Sequence, residues 1–306
     1  MKLLITGAWR HTEEQLNMLE AKNNEIVLMA DERGELPCSA DSIDGVICNG
    51  LFLYHDIKKF ISLKYIQLTS AGFDRIDMDY VNEHNIEIHN ARGVYSIPMA
   101  EYAVFGVLEL YKQGKFFIEN QKSHLWEKHR GLLELYGKTV CIVGCGNVGT
   151  ECAKRFKAFG CNVIGVDLYP REDNDYEKIY PLSQLDSALQ SADIVVLTLP
   201  LTKETEKLIS KEKLAIMKNG AILVNIARGA IVDENALADA LKTHLYGAVL
   251  DVFGEEPLNE NSPLWDMENV ILTPHNSFVG ENNGERLWQV IKNNLEKENK
   301  YDKKDT

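Results

Sequence analysis

Short apolar runs alternate with helically spaced segments along most of the chain. Leu3–Thr6, Glu25–Met29, Gly45–Cys48, Tyr65–Leu68 and Ile86–His89 have the length and branched apolar content of buried strands. Glu13–Ala21 and His55–Phe60 read as helices between them. A second series follows at Thr139–Val143, Asn162–Val166, Ile194–Leu199, Ala221–Asn225, Gly247–Leu250 and Val270–Thr273. Strand–helix alternation predicts a parallel sheet covered by helices, and two series without a common repeat predict two such domains. A long helix is predicted between them, over Pro98–Phe117. Pro98 suits a first turn, and Ala103, Val104, Val107, Leu108 and Tyr111 recur at helical spacing. A last helix, Glu281–Glu298, carries Leu287, Val290, Ile291 and Leu295 after the second series has ended.

Composition narrows the function classes. A length of 306 residues accommodates two domains. A net charge of −13 argues against a basic face for nucleic acid. No apolar run reaches membrane-spanning length, so no membrane partner is expected. The opening MKLLITGAWR is too briefly apolar for a signal peptide and reads as a first strand. Six cysteines lack C-x-x-C pairing. Reduced thiols, no metal site and a cytoplasmic location are the expectation. The charged EKENKYDKKDT at the end reads as a solvated tail.

The densest signal is TVCIVGCGNVGTECAKRFKAFGCNVIGVD, residues 139–167. It reads strand, glycine turn, helix, strand, acid. Gly144 permits a tight turn, Gly146 lets a pyrophosphate approach the backbone, and Gly149 allows close packing of helix on strand. The N-terminus of the Glu151–Phe159 helix offers free N–H groups to phosphate. Cys152, Phe156 and Phe159 are placed on its buried side. Asp167, eighteen residues after Gly149, suits the two hydroxyls of an adenosine ribose and repels a 2′-phosphate. NAD is therefore expected over NADP.

Three further segments, each after a strand, carry polar chemistry. Asn225-Ile-Ala-Arg-Gly229 supplies Arg228, a planar fork for a carboxylate. Leu250-Asp-Val-Phe-Gly-Glu-Glu-Pro257 supplies Asp251 and Glu256. Thr273-Pro-His275 supplies an imidazole for acid–base work. A carboxylate beside a histidine orients the ring and favours its protonated form. Singly, the arginine reads as a surface ion-pair residue, the Glu-Glu-Pro run as a solvated acidic loop and the histidine as a satisfied structural one. After three successive strands of one dinucleotide-binding sheet, they point to a reaction centre.

With these segments in place the chain resembles the D-isomer-specific 2-hydroxyacid dehydrogenases. The matching pieces are Ser70-Ala-Gly-Phe-Asp-Arg-Ile-Asp77, Ala100-Glu101, Gly144-Cys-Gly-Asn-Val-Gly149, Asn225-Ile-Ala-Arg-Gly229, Asp233-Glu234 with Ala236-Leu237, Asp251-Val-Phe with Glu256-Pro257, and Pro274-His275. The resemblance implies an α/β fold of two doubly wound parallel-sheet domains. A Rossmann-type NAD domain, 99–282, would be inserted in a flavodoxin-like substrate domain, 1–98 with 283–306. The implied function is hydride transfer between nicotinamide and C2 of a small D-2-hydroxy acid or 2-keto acid. Arg228 would hold the acid, Glu256 would pair with His275, and His275 would carry the proton. Gly144, Gly146, Asn147, Val148, Gly149, Asp167, Leu199, Ile226, Ala227 and Asp251 would hold NAD. Ser70, Ala71 and Gly72 would form a substrate loop. A homodimer built largely on the cofactor domain is implied as well. An NAD(H)-sensing binding protein on the same fold is the rival reading. The chain departs from the family pattern in reading Leu197-Thr-Leu-Pro200 and His275-Asn-Ser-Phe-Val-Gly280. Asn49-Gly-Leu-Phe52 holds no arginine, which argues against a phosphorylated substrate.

Overall fold

The computed structural model describes residues 1–301 and divides into two compact units, Met1–Tyr95 with the segment from Gly280 onward, and Ser96–Val279. The first unit contains β1 (Lys2–Thr6), α1 (Glu13–Glu20), β2 (Glu25–Met29), β3 (Gly45–Cys48), β4 (Tyr65–Leu68), α2 (Met78–Glu83), β5 (Glu87–His89) and a closing helix, Asn283–Tyr301. Its strands form one parallel sheet in the order β2-β1-β3-β4-β5. Successive side chains of a strand point to opposite faces, so this sheet has two cores. Leu4, Val46, Ile66 and Leu68 pack with Phe60 on one side. Leu3, Ile5, Ile47 and Tyr65 pack on the other with Trp9 and with Leu287, Trp288, Ile291 and Leu295 of the closing helix. The rings of Trp9 and Trp288 stack there at 5.7 Å. His55–Phe60 does not form the expected helix. Only a single 3₁₀ turn appears, Ile57–Lys59, with the Asp56 carboxylate accepting the Lys58 N–H at 3.0 Å.

The second unit contains α3 (Ser96–Tyr111), α4 (Gly114–Lys122), β6 (Thr139–Val143), α5 (Asn147–Ala158), β7 (Asn162–Asp167), β8 (Lys178–Pro181), α6 (Leu185–Ser191), β9 (Ile194–Leu197), α7 (Lys211–Ala215), β10 (Ile222–Asn225), α8 (Glu234–Thr243), β11 (Gly247–Leu250) and β12 (Val270–Leu272). The sheet order is β12-β11-β10-β9-β6-β7-β8, all parallel. Chain order reverses at the β6/β9 boundary, the switch point where open α/β sheets bind ligands outside the strand ends. The helix expected over Pro98–Phe117 is two helices. Gln113 adopts φ 55°, and its side-chain amide donates to the Leu110 carbonyl at 3.2 Å and to the Tyr246 hydroxyl at 2.9 Å. That amide satisfies a carbonyl which the helix end leaves open. Cys152 and Phe156 are fully buried as expected, but Phe159 is 46% exposed, because α5 ends one residue earlier and Phe159 caps it. Strand β8, which the apolar pattern does not announce, lies at the sheet edge and ends in Pro181, a position that tolerates proline.

Candidate active site

The glycine turn after β6 is shaped by close approaches of backbone. Gly144 has φ +99°, and a Cβ there would lie 2.7 Å from the Leu199 nitrogen. A Cβ on Gly149 would lie 2.2 Å from the Gly144 carbonyl oxygen. Around Gly146 the space is open, with nothing within 4 Å of a built Cβ. Gly146 is also the N-cap of α5 and offers no side-chain cap. An uncapped helix N-terminus beneath open space is a phosphate cradle. Thr198 braces the turn from β9, donating its hydroxyl to the Gly144 carbonyl at 2.6 Å. Asn147 is exposed and Val148 half-buried at the mouth. Leu199, Ile226 and Ala227 are buried beside the strand ends.

Asp167 ends β7 and accepts the Cys145 N–H at 2.7 Å and the Tyr169 N–H at 3.0 Å. The glycine turn is thereby tied to the acid that should meet the ribose. Arg171 was not singled out by the sequence motif. Its guanidinium donates to the Cys145 carbonyl at 2.8 Å and to Asp173 at 2.9 Å, which places a cation on the same edge. Arg171 lies four residues beyond Asp167, in a segment whose spacing the motif does not fix. The residues present fit a dinucleotide: turn, helix end and ribose carboxylate all converge.

After β10, Asn225 is buried and shapes the arginine loop. Its side-chain Oδ1 accepts the Ala227 N–H at 3.1 Å, and its side-chain Nδ2 donates to the Arg228 carbonyl at 3.0 Å. Arg228 is half-buried and donates to the Ala227 carbonyl at 2.8 Å. A Cβ on Gly229 would lie 1.8 Å from the Phe253 carbonyl carbon, so only glycine lets the loops after β10 and β11 pass.

After β12 the chain brings His275 to Glu256. The imidazole Nδ1 lies 2.8 Å from Glu256 Oε2, and Glu256 Oε1 accepts the Phe253 N–H at 3.1 Å. Both side chains are a little over one-third exposed, at 38% and 36%, so the pair is reachable from solvent. Asp251, in contrast, is 0% exposed. Its carboxylate accepts the Thr273 hydroxyl at 2.6 Å and the N–H groups of Asn276 and Ser277 at 2.7 and 2.9 Å. It holds the loop that bears the histidine.

In the first unit, Ser70, Ala71 and Gly72 follow β4. The Ser70 hydroxyl donates to the Gly72 carbonyl at 3.2 Å, and the Asn90 amide donates to the Ala71 carbonyl at 2.6 Å. These two bonds brace the loop, and Ala71 is exposed.

The seven-stranded sheet and its cradle define a dinucleotide-binding protein of the doubly wound class. A family model described as the D-isomer specific 2-hydroxyacid dehydrogenase NAD binding domain matches residues 104–277. The chain belongs to the D-isomer-specific 2-hydroxyacid dehydrogenase family. It is 36% identical over 304 residues to D-3-phosphoglycerate dehydrogenase of Methanocaldococcus jannaschii, covering 97% of this chain and 57% of that protein. It thus spans little more than half the length of that relative. A glyoxylate reductase of Korarchaeum cryptofilum is 34% identical over 76% of this chain and 72% of its own. Among solved structures, D-lactate dehydrogenase from Aquifex aeolicus, complexed with NAD and lactic acid, superposes with a TM-score of 0.79 at 25% identity, covering 99% of this chain and 97% of that one.

Proposed function

We propose that this chain is an NAD-dependent dehydrogenase that interconverts a small D-2-hydroxy acid and its 2-keto acid. The observation that carries the reading is the 2.8 Å His275–Glu256 pair, set on the loops of the sheet that bears the dinucleotide cradle. Nicotinamide, when bound, supplies or accepts the hydride at C2. Arg228 holds the carboxylate of the acid through its guanidinium fork. His275 keeps Nδ1 on Glu256 and uses Nε2 to give a proton to the carbonyl oxygen, or to take one from the hydroxyl. Glu256 is itself held by the Phe253 N–H. Ser70, Ala71 and Gly72 receive the acid. Asn147 and Val148 meet the pyrophosphate, Asp167 the ribose, and Leu199, Ile226 and Ala227 the rest of the cofactor. The names of relatives that act on glyoxylate and lactate support a small acid as substrate.

The proposal includes a cytoplasmic setting, supported by six unpaired thiols. It also includes a homodimer formed on the second unit. Trp126 is 98% exposed there, and Phe105, Ile118 and Leu125 are each about half exposed. A groove of about 720 Å³ lies on the same unit, lined by Phe116, Tyr246, Trp265 and Met267 among others.

A panel of keto acids with NADH, followed by NADH oxidation, tests the activity. On the best substrate, His275→Ala should lower kcat by about 10²–10⁴-fold while NADH binding persists. A chain that binds NADH and oxidises it with no member of the panel is a sensor, and that result ends the proposal.

A further inference from the structure

His275 has φ 51°, in the left-handed region that a residue with a side chain rarely occupies. Such a backbone persists only where its surroundings fix it. Here they do so from every side. The His275 N–H donates to the Asp251 carbonyl at 2.8 Å. The next two N–H groups, of Asn276 and Ser277, donate to the Asp251 carboxylate. Thr273, two residues before the histidine, donates its hydroxyl to the same carboxylate at 2.6 Å. Tyr102, on α3, lies 2.6 Å from that threonine oxygen.

The direction of this chain follows from proton counting. A threonine hydroxyl has one proton, and Thr273 commits it to Asp251. The Tyr102 hydroxyl must therefore be the donor to Thr273. Burial pushes the Tyr102 phenol up to about 12, against a smaller opposing pull from its bond to Thr273, so it stays a donor through the working pH range. Each link polarises the next in the same sense, and all of them end on the turn that aims the imidazole.

We propose that Tyr102 and Thr273 are positioning residues for His275: the line Tyr102 → Thr273 → Asp251 holds the histidine turn so that Nδ1 stays on Glu256 and Nε2 faces the reacting oxygen. The inference rests on the dehydrogenase reading for its kinetic consequences, and on geometry alone for its structural ones.

The test uses the full chain and four variants: Tyr102→Phe, Thr273→Val, Thr273→Ser and His275→Ala. Tyr102→Phe should lower kcat about tenfold, with the KM for keto acid and the Kd for NADH within about twofold of the parent. Thr273→Val should cost more, and Thr273→Ser should restore most of the loss because it keeps the hydroxyl. In the His275→Ala background, Tyr102→Phe should cost nothing further, since the group it positions is gone. An equal loss in both backgrounds overturns the proposal, as does a serine variant no better than valine. The ¹⁵N resonances of the His275 ring give a readout free of turnover. They should move in Tyr102→Phe, and unmoved resonances overturn the positioning role. If the parent chain reduces no keto acid, the dehydrogenase reading falls, while the ring resonances still decide between a positioned and an unaffected imidazole.

Discussion

Asp167 shows how much one side chain settles. One carboxylate oxygen accepts the Cys145 N–H and the other the Tyr169 N–H, so the acid is fixed where β7 ends. An added phosphate on the ribose would bring like charges close, at a cost of a few kcal/mol near a protein surface. NAD should therefore be preferred over NADP by about 10²-fold in kcat/KM. Asp167→Ser should narrow that ratio, because Arg171 already stands on the same edge to meet a phosphate. Adding Arg171→Ala to Asp167→Ser should widen it again. Equal kcat/KM values for the two cofactors in the parent chain would contradict this account. Residues of this kind were legible in the sequence where a motif fixes their spacing, as with Gly144, Gly149 and Asp167. The His275–Glu256 pairing was legible only as a resemblance. The left-handed turn at His275 and the hydroxyl line behind it were not legible, because both depend on contacts between residues far apart in the chain.

At the scale of elements, periodicity announced most strands of both sheets, since buried parallel strands are continuous apolar runs. It missed β8, whose edge position relaxes that requirement. It also joined α3 to α4, because the left-handed residue at the break is Gln113 and not the adjacent Gly114, whose presence alone does not end a helix. The cysteines show what burial within elements does to chemistry. Cys141 on β6, Cys145 in the glycine turn and Cys152 on α5 have thiols pushed up to about 12 by burial, and Cys161 just before β7 to about 11. Burial raises Cys48 on β3 as well. The thiolate is the reactive form, and it appears only as pH rises through the pKa. At pH 8 these five are thus almost wholly protonated as well as enclosed. Ellman's reagent at that pH should find one fast thiol in the native chain, the half-buried Cys38, and six after denaturation. Three or more fast thiols in the native chain would show that this burial does not persist in solution.

For the whole molecule, association is the open question that the surface itself addresses. The stretch bearing Ile118, Leu125 and Trp126 leaves three large apolar side chains exposed, Trp126 almost wholly, and grouped exposed apolar side chains mark association surfaces. Light scattering at micromolar concentration should give twice the chain mass of 34.6 kDa, and Trp126→Asp should shift the protein toward that single mass. A parent chain that scatters as one copy refutes the dimer. The closing helix has a consequence of another kind. Leu287, Trp288, Ile291 and Leu295 fill one face of the first sheet, yet they follow the entire second unit in the sequence. During synthesis, residues 96–279 leave the ribosome complete and can fold as they emerge. Leu3, Ile5 and Trp9, made far earlier, stay uncovered until the closing helix arrives. Of the two units, the one whose synthesis starts first is therefore the one that is finished last.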